Sequence, residues 1–177
     1  MFMEERKNRR EAILTVTIFV FGTAFILHEL YKWTGENPII GLFSPVNESV
    51  WEHLKLAFYP VIFFMIYPLT MYQQKFSISE RVQGAALSSM LAICVVLCGY
   101  YGIHEGLSIN GPNIDFVIDI GLLLLGDFIG VYHGFRVADK RRKKIYTIVS
   151  LGWIFGMTLL FWWFTTNPGS AEVFRIP

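Results

Sequence analysis

Five stretches of the chain are apolar over about twenty residues each, the length a helix needs to cross a bilayer core of roughly 30 Å. They cover 12–31, 54–74, 82–102, 114–135 and 145–164. The runs are continuous rather than alternating, which predicts helices, since a lipid core admits only helices or closed barrels. The expected fold class is all-α: a polytopic membrane protein whose five transmembrane helices form a single bundle over 1–177. A short amphipathic lead-in helix is expected over 45–54, with Ser44 as its N-cap and Pro45 at its first position. Pro60 and Pro68 should kink the second span and free the carbonyls of Leu56 and Phe64.

Composition narrows the class further. Apolar residues make up 54% of the chain and charged residues 16%, against about 25% charged in a soluble domain. This excludes a disordered chain, a nucleic-acid binder with a basic face and an ordinary soluble enzyme. Two cysteines exclude a disulfide scaffold, and Cys94 and Cys98 are expected to be small packing residues.

The net charge of +1 conceals a polarised molecule. Twelve of the fifteen basic residues flank one side of the spans: four precede the first, Lys75 and Arg81 follow the second, and Arg136 and Lys140–Lys144 follow the fourth. Basic flanks lie inside, so the N-terminus is expected in the cytoplasm and the C-terminus outside. The first span then acts as a retained signal anchor, and the run Lys140–Lys144 contacts anionic headgroups. The expected location is a bacterial plasma membrane, with lipids as partners and no nucleic acid. The outer side holds eight acids against Lys32, Lys55 and Arg175, together with three of the four histidines.

Carboxylates and imidazoles at membrane depth are costly unless paired, hydrated or metal-bound, and together they compose a divalent-cation site. The densest stretch is 47–55, where Asn47, Glu48, Ser49, Trp51, Glu52, His53 and Lys55 fill seven of nine positions. Glu48 and Glu52 are four apart, as are Ser49 and His53. The plainer alternative is a solvated glutamate pair, with Trp51 as an interfacial anchor and Glu52 bonded to Lys55. His28 and Glu29 end the first span, and His104 and Glu105 follow the third. On the fourth span Asp115, Asp119, Asp127, His133 and Gly126, Gly130 and Gly134 share a stripe roughly 120° wide. The glycines would let another helix approach closely. Asp127 would bond a neighbouring Ser or Thr or contribute to a site. Gly152 and Gly156 suggest a second notch on the fifth span.

The segment HELYKWTGENPIIGLFSPVNESVWEHLKLAFYP resembles the signature of a family of small uncharacterised bacterial integral membrane proteins. Those proteins carry a His-Glu-Leu at the end of the first span and Asn-Glu-Ser-x-Trp-Glu-His-x-Lys entering the second. The resemblance implies no known activity. A looser likeness is to the membrane hydrolases related to alkaline ceramidases, in which a Ser-x-x-x-His, an Asp and a His-x-x-x-His surround zinc. Ser49 and His53 match the first element and Asp115 or Asp119 the second. The chain has no His-x-x-x-His, and five spans stand in place of seven.

Three functions fit. The first is a metal-dependent hydrolase facing the outer leaflet and taking a lipid-like substrate. Zinc or another divalent cation would be held by His28, His53 and His104 with Glu48 or Asp119, and the catalytic candidates are Glu52 as general base and Ser49. The second is a cation- or proton-coupled transporter, or a solute-binding membrane subunit, with Asp115, Asp119 and Asp127 along the path. A cavity running past Asp127 to His133 would favour transport, and a blind outer pocket hydrolysis. The third is an accessory membrane protein without chemistry.

Overall fold

The computed structural model describes residues 2–107, 111–140 and 143–175. Arg141 and Arg142 of the basic run, and the side chain of Glu105, lie outside the described residues. The described residues form helices only: α1 (Phe2–Trp33), α2 (Pro38–Gly41), α3 (Val50–Ile66), α4 (Met71–Gln74), α5 (Ile78–Tyr101), α6 (Pro112–Ala138) and α7 (Lys144–Thr166). A π-helical turn, Gly102–Gly106, extends α5. Three helical stretches are long and apolar enough to cross a membrane: Met3–Trp33, Ile78–His104 and Lys144–Thr166. The five long helices alternate in direction. We call the end holding Trp33, Val50 and Pro112 the site end, and the opposite one the basic end.

Helix α1 presents a stripe at every fourth residue. Ala12, Val16, Val20 and Ala24 are almost completely buried, and His28 continues the same stripe at the site end. Facing it on α6 is a matching row in which Val131, Phe135 and Asp127 are buried. With Val61 and Met65 of α3, the apolar members of these rows form the core of the basic half. A second core joins α3, α5 and α7 through Leu54, Phe58, Ala92 and Phe161.

The second apolar run is not one helix. Helix α3 starts at Val50 rather than at Pro45, because Ser44 is engaged elsewhere and Ser49 supplies the cap, its Oγ accepting from the Glu52 N–H. Its far end is set by Pro68, which forces Tyr67 into extended backbone (ψ 116°). The carbonyls left over are satisfied by side chains. Gln73 Nε2 donates to Phe64 O at 2.7 Å, and Arg81 Nη1 to Ile66 O at 2.8 Å. Capping boxes Thr70/Gln73 and Ser77/Glu80 then restart the chain as α4 and α5.

The largest helix–helix interface is that of α5 with α6. Gly126, Gly130 and Gly134 of α6 lie against α5 backbone: a Cβ on Gly126 would stand 3.0 Å from Ala92 O, and one on Gly130 would overlap Ser88 O. By contrast, Gly152 and Gly156 of α7 have nothing within 4 Å, so the notch expected there has no occupant among the described residues.

Gly130→Ala is therefore expected to cost about 1–3 kcal/mol, the range for overpacking a tight contact. Gly22→Ala, where a Cβ meets open space, should leave stability unchanged. Reversible unfolding in detergent measures both, and equal midpoints would contradict this packing.

Candidate metal centre

The loop between α2 and α3 is fixed before any functional side chain is placed. Lys55 is fully buried, and its ammonium has three acceptors: Glu52 Oε2 at 2.6 Å, Gly41 O at 2.7 Å and Ser44 O at 3.2 Å. An ammonium carries three protons, so each has an acceptor. Glu52 is equally engaged: Oε2 also accepts from the Val46 N–H at 3.0 Å, and Oε1, at 3.1 Å, shares the Thr165 hydroxyl proton of α7 with Phe161 O at 2.7 Å. The buried Ser44 reaches the other way. Its hydroxyl donates to Leu27 O and accepts from the Tyr31 N–H at 3.2 Å, inserting into the α1 backbone ladder. The loop is thus tied to α1 through Ser44, to α3 through Lys55 and Glu52, and to α7 through Thr165.

This clamp brings α1 and α3 together at His28 and His53. Their Nε2 atoms stand 3.1 Å apart, and Glu48 Oε2 lies 3.6 Å from the first and 3.4 Å from the second. The other nitrogen of each ring faces an acceptor. His28 Nδ1 is 2.8 Å from Glu29 Oε1, and His53 Nδ1 is 3.0 Å from Ser49 O. A carboxylate or a carbonyl can only accept, so each Nδ1 carries the hydrogen and each Nε2 presents a lone pair. The tautomers are fixed by these partners. Three electron-pair donors therefore converge on one point. One proton can bridge two of them, whereas a divalent cation engages all three. His28, Glu48 and His53 form a group that could hold a metal ion, with Glu29 and the Ser49 carbonyl orienting the rings as ligand-supporting partners do.

Asn47 shapes the turn that carries Glu48, its Oδ1 accepting from the Ser49 N–H at 2.9 Å. On its outer side Glu48 pairs with Lys32 at 3.2 Å. Burial pushes the Glu48 carboxyl up, but the hydrogen bond and charge of Lys32 and, once protonated, the His53 and His28 rings outweigh it and hold the group below its ordinary value. The anionic form thus persists on acidification, and the stabilisation it brings is lost only as pH falls through that lowered value.

The remaining candidates fall into separate places. His104, on the π-helical turn, lies beside α6 with Nδ1 3.3 Å from Asp115 Oδ1 and Nε2 3.4 Å from Asp119 Oδ1. Asp115 also accepts from the Gly111 N–H at 3.1 Å. His104 is therefore grouped with two aspartates and not with His28 and His53. Trp51 packs on Phe161, Phe164 and Phe174. Ser49 and Glu52 are buried, the serine hydroxyl on its cap and the carboxylate in the Lys55 pair. Asp127 is completely buried, and among the described residues neither carboxylate oxygen has a hydrogen-bond partner, including the Ser or Thr expected there.

A cavity of about 450 Å³ opens beside the cluster. Its polar end is made by His28, Glu29, Glu48, His53 and, from α6, Asp119. Its apolar end runs down between Ala24, Leu56, Val96, Ile120 and Leu123. Lining stops at the level of Leu123, one turn before Asp127. Sequence reading took Ser44 only as a helix cap, and it did not single out Thr165 or Tyr100, the latter of which also lines the cavity. The signal available for the clamp was Lys55 itself, a cation inside an apolar run that had to find acceptors.

The chain belongs to a family of unknown function (DUF6512), whose model matches residues 2–176. No curated protein and no solved structure matches it. An uncharacterised family is what the sequence led us to expect. The likeness to the alkaline-ceramidase-related hydrolases and the short signature receive no support from these comparisons.

Removing one partner of a buried ion pair strands the other. Lys55→Met is expected to cost about 3–5 kcal/mol, and the double variant Glu52→Gln/Lys55→Met to recover much of that loss. Unfolding midpoints of the three proteins measure it; a single variant as stable as the parent would show that the clamp carries no strain of this kind.

Proposed function

We propose that this protein is a multi-pass membrane protein of a bacterial plasma membrane that uses a divalent cation to hydrolyse a carbonyl linkage at the outer leaflet. In this reading α1, the 54–74 run, α5, α6 and α7 are the five spans. The twelve basic flanking residues support a basic end and an N-terminus inside, with the site end outside.

The observation that carries the proposal is the triangle of Nε2, Nε2 and Oε2 with edges of 3.1, 3.4 and 3.6 Å. Nitrogen and oxygen ligands about 2.0–2.1 Å from a tetrahedral zinc stand about 3.3 Å apart. Two imidazoles and one carboxylate are a ligand set that suits zinc and leaves a fourth position for water or substrate. Such an ion supplies an acidified water and a polarised carbonyl oxygen.

The chain supplies the rest. His28 and His53 are held in their ligating tautomers, and Glu48 brings the negative charge that offsets the cation. Asp119 lines the same cavity and has His104 behind it. Its carboxylate is the proton acceptor: it takes a proton from water as the water oxygen bonds to the carbonyl carbon, then returns it to the departing alcohol or amine. Glu52 is not given that role, since both its oxygens are engaged away from the cavity. The cavity lining ends at Leu123, which supports hydrolysis over transport, because among the described residues it does not continue past Asp127 toward the exposed His133.

Purified protein loaded with zinc is expected to retain one equivalent by elemental analysis, and His28→Ala or His53→Ala to lose it. Retention should fall as pH drops, because protons compete for the imidazoles. Asp119→Asn should keep the metal while lowering hydrolysis of a chromogenic acyl ester by about 10²–10⁴-fold. A well-folded protein that binds no zinc under replete conditions would overturn the reading.

A further inference from the structure

We infer that the cavity admits one acyl chain of a membrane lipid sideways, through the gap between α1 and α6, so that the linkage at the head of that chain reaches the His28–His53–Glu48 cluster. The orientation of the chain rests on the proposed metal site; the occupancy of the apolar end does not.

Three features point to this occupant. The first is where α1 and α6 part. In the basic half they share one core through Val16, Val20, Val131 and Phe135. In the site half Ala24 and Phe25 on one helix and Phe116 and Ile120 on the other line the cavity instead. Helices α3 and α5 contribute Leu56 and Val96 to its lining. The second feature is the mouth. Phe25 of α1 and Phe116 of α6 are the large apolar lining residues that are exposed, at 46% and 65%, an apolar rim that suits lipid and not water. The third is the gradient of chemistry within the cavity. Carboxylates and imidazoles occupy one end and aliphatic side chains the other, the pattern complementary to an ester or amide head on a hydrocarbon chain.

Size limits the occupant. A volume of about 450 Å³ lies in the lower half of the range for ligand pockets. It seats one chain segment and its linkage, while a second chain and a headgroup stay in the bilayer. Ala24 sets the width. It is buried on the α1 side of the lining, and a larger side chain there would project into the space the hydrocarbon needs. Leu123 sets the depth, with Asp127 sealed one turn below.

The test uses the full chain in phosphatidylcholine vesicles carrying a phosphatidylethanolamine with a diazirine on one acyl chain. After photolysis, labelled peptides are mapped by mass spectrometry. Labelling is expected to concentrate on the segments 19–28 and 116–123, and Ala24→Trp to reduce it there roughly tenfold, the loss of a few buried methylenes. Phe116→Asp, at an exposed position that tolerates change, should reduce it as well and keeps the test valid if the tryptophan variant does not fold. Labelling spread over the outward face of α7, with no enrichment at the cavity and no response to either variant, would overturn the inference. The metal reading is scored separately. Cavity labelling in a protein that binds no zinc sustains the acyl-chain site and removes the hydrolase, whereas zinc binding without cavity labelling does the reverse.

Discussion

The site depends on one buried cation. The Lys55 ammonium sits out of contact with water, and its three acceptors come from Glu52 and from the carbonyls of Gly41 and Ser44. A buried ion pair of this sort contributes little net stability, since desolvation offsets most of the attraction. What it supplies is position. Two of the acceptors lie fourteen and eleven residues upstream, so the loop can adopt only the path that satisfies all three protons. Ser44, on that path, hooks the backbone of α1 one residue before His28. The separation of the two imidazoles follows from that geometry, because His53 lies on α3 between Glu52 and Lys55.

The two halves of the molecule divide the work. In the basic half, small and β-branched residues at every fourth position let α1 and α6 meet, while the α6 glycines seat it on α5 with no room for a methyl group. That half is closely packed. In the site half the same helices carry His28, Phe25, Asp119 and Phe116, and a cavity takes the place of contact. Asp127 marks the boundary, a buried carboxyl without a hydrogen-bond partner among the described residues. Packing at one end thus holds the walls apart at the other, which is how a small bundle keeps a site of about 450 Å³ open without a separate domain to frame it.

Much of this was legible in the residues. Apolar runs of helical length gave the all-helical class, and the spacing of Gly126, Gly130 and Gly134 gave the interface with a neighbouring helix. The acids and imidazoles of 47–55, together with His28, announced a cluster, and His28, Glu48 and His53 do meet. Other features needed three dimensions. Ser44–Pro45 has the form of a helix start, yet the hydroxyl satisfies α1 and the cap moves to Ser49. Glu52 has the spacing of a partner to Glu48 but turns to Lys55, a choice that only the depth of burial decides. Which of His104 and Glu48 joins the two other rings depends on the path of the loop and of the π-helical turn, and neither leaves a periodic trace. Gly152 and Gly156 show the converse: the spacing is present, and no helix packs on it among the described residues.

The central claim is that this clamp holds two imidazoles and one carboxylate around a single divalent cation. X-ray absorption at the zinc edge of the loaded protein tests it most directly. The account predicts a first coordination shell of nitrogen and oxygen at about 2.0–2.1 Å, with the multiple-scattering signature of two imidazoles, one of which disappears in a folded His53→Ala protein. A shell containing sulfur, or one with no imidazole signature, would contradict it.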